Sequence, residues 1–400
     1  MKKFLKIIII SVLTLITACS LLACKDNGAG STEKGLLCKK LDGVYTIYGY
    51  NQEEDKTELD IAKELETIYG ETITNVRIKT NAFSGNSSLK KIIVPETVTE
   101  IDAGAFAGIK KLEELVLPFV GATANSDAFY AESEKAEDKA VDSERSIGHL
   151  FGTTEYALGS PVTLTYASGQ TGTYYFPATL KKITIKTTVD YSIPMYAFSG
   201  AVNLNKIVLE GKIDAIGENA FSGANGLTSI TLPATVKTIY DSAFESCSNL
   251  NEVIFEQNSV LESIGANAFK GTKLGAEVKL PATVKTIGDY AFRNSGVKNV
   301  YLSSALEVIG DGAFMECAKL VNVYTDGVQS AKINALAFEK CTALDYVGVK
   351  ASQVADTIDL TAFDTVEALA FANLSKTVTY NVIGVDNSQK ASIFFMNSEK

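Results

Sequence analysis

The sequence predicts a solenoid, a chain that coils repeatedly and stacks each coil on the last. Three observations predict it. The dipeptide Ala-Phe recurs, ending at Phe83, Phe106, Phe198, Phe221, Phe244, Phe269, Phe292, Phe314, Phe338 and Phe363. From Phe198 onward the steps are 23, 23, 25, 23, 22, 24 and 25 residues. The eight residues LPATVKTI occur twice, at Leu232–Ile239 and Leu280–Ile287, 48 positions apart, which is two such steps. A coil this short cannot bury its own apolar face, whereas a stack of about ten to eleven coils buries a continuous one.

The N-terminus reads as an export signal over 1–23. Lys2, Lys3 and Lys6 precede the apolar stretch Ile7–Ile16, and Ile7–Ala23 is shorter than the ~20 apolar residues of a membrane-spanning helix. Two cysteines follow small residues, in ITAC (Ile16–Cys19) and LLAC (Leu21–Cys24). Both resemble a bacterial lipobox. Cys24 is the favoured lipidation site because its −3 residue is Leu and the polar KDNGAGSTEKG follows it; Cys19 is the alternative. An ordinary signal peptide or an uncleaved anchor is the plain reading. A tether is expected over 24–40.

An N-terminal cap is expected over 41–75. DGVYTIYGY (Asp42–Tyr50) reads as a strand. TELDIAKELETIY (Thr57–Tyr69) places Ile61, Leu65 and Ile68 at helical spacing, and Thr57 with Asp60 fits a capping box. A strand over Leu59–Ile61 is the other reading.

The solenoid spans 76–363. Each unit opens with a strand-like piece such as LKKIIV, LEELVL, LNKIVL, LTSITL or LNEVIF. Pro95, Pro118, Pro233 and Pro281 close such pieces, as suits a residue that cannot donate to a ladder. A second extended piece follows (TVTEI, TVKTI), then a turn, Ala-Phe, and a small residue two or three positions on. The unit I-x-x-x-A-F-x-[GC]-x-x-L-x-x-[IV]-x-L-P-x-T-V-x-x-I resembles the leucine-rich repeats of the BspA-like surface-protein family, over roughly seven-tenths of the chain. The resemblance implies a leucine-rich repeat solenoid with parallel β-sheet, carried on a bacterial surface, with a role in adhesion or recognition.

Between Phe106 and Phe198 the period is disturbed. SIGHLFGTTEYALG (Ser146–Gly159) reads as a shortened repeat with Phe151 in the Phe column. Insertions are expected near 121–145 and 160–174. The first is polar and acidic and reads as a solvated loop, with a recognition loop or weak cation site as the functional alternative. Its Ala128-Phe129 pair has flanks that do not fit the repeat. The second, SPVTLTYASGQTGTY, reads as a hairpin or long loop. A C-terminal cap is expected over 364–400, where KTVTYNVIGVDNSQKASIFFMN alternates like strands.

Composition bounds the function. The 400 residues carry 47 acidic and 37 basic side chains, a formal net charge of −10. No basic patch stands ready to neutralise phosphates, so no nucleic-acid partner is expected. His149 is the single histidine, so any Ser-His-Asp or Cys-His arrangement would have to use it, and it falls in a variable turn of a repeat. The sequence has no Walker loop, G-x-S-x-G, H-E-x-x-H or C-x-x-C. Neither catalysis, a cofactor nor a metal site is expected. Cys247, Cys317 and Cys341 fall three residues after a column Phe, which suits small buried thiols; a Cys317–Cys341 bridge between adjacent coils is the alternative.

Alternation places the residues flanking the central apolar position of each first strand outward. The candidate binding face is Asn299, Tyr301, Asn322, Tyr324 and Tyr346, on consecutive coils. Tyr suits gripping a protein or a sugar ring, and it equally suits plain cross-strand packing. The expected activity is non-catalytic binding of a macromolecule from a lipid-anchored position at the cell surface. The partner is an extracellular protein or, alternatively, a glycan or cell-wall polymer; a self-associating structural role is a third reading.

Overall fold

A computed structural model describes residues 34–53, 55–124, 144–166, 170–275, 277–350, 357–359, 363–366, 370–371, 374 and 379–381. Cys19, Cys24 and most of the acidic insertion lie outside them. The chain winds as a parallel β-solenoid of about eleven turns at ~23-residue spacing.

Each coil contributes two short strands separated by a corner. The first strands form one row, from Glu58–Asp60 through Lys91–Ile93 and Glu114–Leu117 to Asn299–Tyr301, Asn322–Tyr324 and Tyr346–Gly348. The second strands form the other, including Thr238–Ile239, Ser263–Ile264, Thr286–Ile287 and Val308–Ile309. The corner is a turn whose Val N–H returns to the Pro carbonyl: Val98 to Pro95 at 3.0 Å, Val236 to Pro233 and Val284 to Pro281 at 3.1 Å. Pro has no N–H, so the first ladder stops there. The same turn forms without Pro where Leu306 N–H returns to Ser303 O and Val328 N–H to Thr325 O. Two coils make no such turn, and their strands run through the corner as Lys182–Ile193 and Lys206–Ile216. An eleven-stranded sheet therefore crosses from one row to the other at that point.

The core is a set of columns. Every column Phe from Phe198 to Phe338 stacks on its neighbour with ring centroids 5.0–5.2 Å apart and planes within 14°. Each of these rings is essentially removed from water. Burying one Phe side chain contributes roughly 1.5–3 kcal/mol. Beside the rings runs a backbone ladder in which each Phe N–H donates to the Ala carbonyl of the next coil, as from Phe221 to Ala243 and Phe244 to Ala268, both 2.8 Å. Phe151 takes its expected place: Phe106 N–H donates to Leu150 O at 2.9 Å, though the Phe106–Phe151 pair is tilted by 48° at 6.4 Å.

The tight turn carrying Ala-Phe explains the small residues around it. The residue before Ala is left-handed in coil after coil: Asn81, Tyr196, Asn219, Ser242, Asn267, Tyr290, Gly312 and Leu336 all have φ between 53° and 60°. The residue two after Phe is left-handed too, as Gly85, Gly108, Gly200, Gly223 and Gly271, but as Ser246, Asn294, Glu316 and Lys340 elsewhere. Residues with a Cβ adopt this conformation at a cost of ~1 kcal/mol.

The duplicated LPATVKTI has a physical reason. One hydrogen-bond ladder of the second row runs Asp214, Lys237, Glu262, Lys285, Glu307, Lys332, each N–H donating to the preceding residue's carbonyl at 2.8 Å. The charge changes sign at every coil. A coil bearing Lys sits between coils bearing carboxylates, so the Lys of the octapeptide returns after two coils, at Lys237 and Lys285, and again at Lys332. Lys285 pairs with Glu262 at 2.9 Å, and that contact holds the Lys285 ammonium above its usual range. In the near-matches that follow, Asp241 accepts from Ala266 N at 2.7 Å and Asp289 from Asp311 N at 2.8 Å.

The ends depart from the sequence expectations. Gly35–Leu41 (β1), placed in the tether, is a strand pairing antiparallel with Val44–Asn51 (β2). Its alternating buried Leu36 and Cys38 belong to the core, which is why it folds. The two readings of Thr57–Tyr69 coexist: Glu58–Asp60 (β3) is a strand and Ile61–Tyr69 (α1) a helix. Its N-cap is Asp60, accepting from Lys63 N, rather than a Thr57 box. At the other end Phe363 lies in a strand paired with Ala331–Ile333, and the ring that stacks on Phe338 is Phe371, at 5.0 Å and 8°. Strands Thr357–Asp359 and Thr379–Asn381 pair in parallel, so stacking continues beyond residue 363 into the expected cap. The 160–174 insertion is an antiparallel hairpin of Gly159–Thr165 with Thr171–Pro177.

Phe244→Ala should cost roughly 3–5 kcal/mol by chemical denaturation, as for large-to-small changes in a packed core. Lys340→Gly should raise stability by about 0.5–1 kcal/mol, because glycine adopts the left-handed conformation without a Cβ clash. Lys285→Glu should lower the melting temperature in low salt and recover with added salt, because it sets three carboxylates side by side.

Candidate binding surface

The outward face of the first strand row is set by alternation. In Asn299–Tyr301 the central Val300 is buried, and Asn299 and Tyr301 stand half-buried on the other side. Tyr301 pairs in register with Tyr324, with ring centroids 4.6 Å apart. Tyr346 aligns with Asn322 instead, and Gly348 takes the Tyr324 position. The amide row is bonded: Asn322 Nδ2 donates to Asn299 Oδ1 at 2.8 Å.

The expected stripe of three exposed tyrosines is not what forms. Tyr324 is 5% exposed and Tyr346 2%. The chain leaving Tyr346–Gly348 turns back over them. Tyr346 OH donates to Val349 O at 2.7 Å, and Lys350 N–H donates to Asp326 at 3.0 Å. The Lys350 ammonium then lies 5.3 Å from the Tyr324 ring centre and 4.8 Å from that of Tyr301, and donates to Tyr301 OH at 2.7 Å. Lys279 approaches Tyr301 at 5.2 Å. The Tyr301 ring is thus engaged by two cations.

What the surface presents is charge and amide around one tyrosine. Lys279 pairs with Glu277 at 3.1 Å and holds its carboxyl below the usual range. Hydrogen bonding to Tyr301 holds the Lys350 ammonium above its own. Glu277, Lys279 and Lys350 are exposed. This cluster suits contacts with a polar protein surface. It offers no bare aromatic face for a sugar ring.

The other sequence candidates are structural in their contacts. His149 Nε2 lies 3.0 Å from Ile101 O, within the short helix Gly148–Phe151 (α2). Cys247, Cys317 and Cys341 are buried free thiols, so the bridge alternative is excluded. Each donates to a column Phe carbonyl of the preceding coil, Phe221, Phe292 and Phe314 respectively, at 2.9–3.0 Å. Burial pushes Cys247 up to about 12 and Cys317 to about 11, and it holds the Cys341 thiol well above the usual thiol range. No group of three His, Cys, Asp or Glu among the described residues could hold a metal ion.

Two outcomes follow. Tyr346→Ala should destabilise the protein by roughly 3–5 kcal/mol, as expected for a buried ring, while Tyr301→Phe should leave thermal stability within about 0.5 kcal/mol. Cys247, Cys317 and Cys341 should resist a thiol reagent at pH 8 in the native protein and react once denatured, because the thiolate is the reactive form.

The family model for the BspA type leucine-rich repeat region matches residues 60–147, 170–276 and 262–383, in six copies. No curated protein matches the chain. Among solved structures, the leucine-rich repeat protein of T. pallidum is 28% identical, over 41% of this chain and 77% of that one, with a TM-score of 0.38. A leucine-rich repeat protein from Bacteroides ovatus is 16% identical, over 88% and 100%, with a TM-score of 0.36. A leucine-rich cell surface protein from Faecalibacterium prausnitzii is 18% identical, over 92% and 98%, with a TM-score of 0.34. The matched repeats cover more than half of the sequence, and the chain belongs to the BspA-type leucine-rich repeat family.

Proposed function

We propose that the protein is a cell-surface lipoprotein that binds an extracellular protein without catalysis, anchored through lipid on Cys24 or, failing that, Cys19. The observation that carries the reading is the Phe column, stacked without a break from Phe198 to Phe338 and on to Phe371. It fixes outward side chains from many coils in one rigid array, so little ordering is left to be done on binding. The contact region is the face around Glu277, Lys279, Tyr301, Asn322 and Lys350. Tyr edges and exposed charges suit a protein partner, where aromatic and cationic anchors dominate affinity. The paired amides Asn299 and Asn322 and the covered rings favour this over sugar stacking on the same face. The lysine-rich, then apolar, then cysteine-bearing N-terminus supports export and anchoring.

The test is retention of the purified protein on immobilised extracellular-matrix proteins, mucin and polysaccharides. A matrix protein should retain it, and protease treatment of that ligand should abolish retention while periodate leaves it intact. Lys279→Glu/Lys350→Glu should weaken binding roughly tenfold in a variant that keeps a cooperative melting transition. Failure of every immobilised protein to retain the wild type would overturn the proposal, as would full binding by the charge-reversed variant.

A further inference from the structure

The disturbed coils build a cleft of about 340 Å³ that the strand face does not use. It lies where the Ala-Phe turns of two N-terminal coils meet the shortened repeat and its hairpin. Its floor is glycine against glycine. Gly152 has φ 71° and ψ 174°, a region open essentially to glycine alone. A Cβ there would come 3.3 Å from the Gly104 Cα. The bare backbone of these two residues, continued by the Ala107 methyl, forms a smooth small-residue surface.

The cleft is held in shape by backbone bonds. Gly104 N–H donates to His149 O at 2.7 Å, and Tyr175 N–H donates to Gly152 O at 3.1 Å. His149 is fixed by Ile101 O, and Tyr174, one wall, is fixed through its hydroxyl by Tyr166 OH. The rim carries Thr80, Asn81, Thr153 and Thr154, all exposed. Hydroxyls and amides both donate and accept, as sugar hydroxyls do. Among the described residues no carboxylate, ammonium or guanidinium lines the cleft, so a charged ligand would find no countercharge. Tyr174 is only 6% exposed, so it backs the cleft and leaves the polar rim over a small-residue floor as the contact surface, a concave site with a few placed polar groups.

We propose that this cleft binds a neutral hexopyranoside, with the ring over Gly104 and Gly152 and its hydroxyls on Asn81 and the rim threonines. The inference is independent of the strand-face reading, because the two sites share no residue.

The test is saturation-transfer NMR of the purified protein with the methyl glycosides of glucose, galactose, mannose and N-acetylglucosamine. At least one should bind. Ala103→Phe, which fills the cleft from an exposed position, should abolish that binding. Asn81→Gly keeps the left-handed backbone and should weaken it about fivefold, the loss of one hydrogen-bonding group. Lys279→Glu/Lys350→Glu should leave it unchanged. Absence of binding by all four glycosides up to about 10 mM would overturn the proposal. So would wild-type binding by a folded Ala103→Phe variant, or tighter binding of glucuronic acid than of the glucoside.

Discussion

The structure depends on one contact repeated coil after coil: a phenylalanine ring stacked flat on the next, with its N–H donating to the alanine carbonyl beside it. Ring stacking fixes the distance between coils near the strand spacing of ~4.8 Å, so both strand rows form their ladders without strain. The flat turn that delivers Ala-Phe needs two left-handed residues, which is why Gly and Asn gather around it. The position three after Phe points at the carbonyl of the preceding coil's Phe, and Cys fills it as a small donor at Cys247, Cys317 and Cys341. Apparent sequence motifs around Phe are thus consequences of the stack.

Charge obeys the same geometry with twice the period. Neighbouring coils bring side chains at equal positions within contact distance, so like charges would repel all along the body. Alternation from Asp214 to Lys332 avoids that, and pairs such as Arg77–Glu100, Lys182–Glu114, Lys270–Glu245 and Arg293–Glu316 do the same elsewhere. Exposed pairs contribute little singly and are screened by salt. Their larger effect is on register, since a coil displaced by one unit meets its own sign.

The periodic features were legible in the sequence because packing imposes them coil after coil: the Phe column, the paired strands and the small residues that follow each Phe, Cys247, Cys317 and Cys341 among them. Features set by non-periodic contacts were not. Ala370-Phe371 is present as a dipeptide, but it lies 33 residues after Phe338, outside the established step, whereas Phe363 falls at 25. Alternation says on which side Tyr324 and Tyr346 stand; it cannot say that Val349 and Lys350 cross over them. Gly35–Leu41 follows a polar stretch and looks like its continuation, yet its Leu36 and Cys38 close the core. The cleft draws on residues from four separate stretches, with no motif to join them.

Binding through such a body rests on its rigidity, and rigidity rests on the Phe column. Amide hydrogen exchange on the native protein measures this directly, because each column Phe N–H from Phe198 to Phe338 is committed to the neighbouring coil. The account predicts that these amides exchange last and at similar rates, through global unfolding. Exchange of the Phe221, Phe244 and Phe269 amides as fast as the exposed turns around them would contradict it.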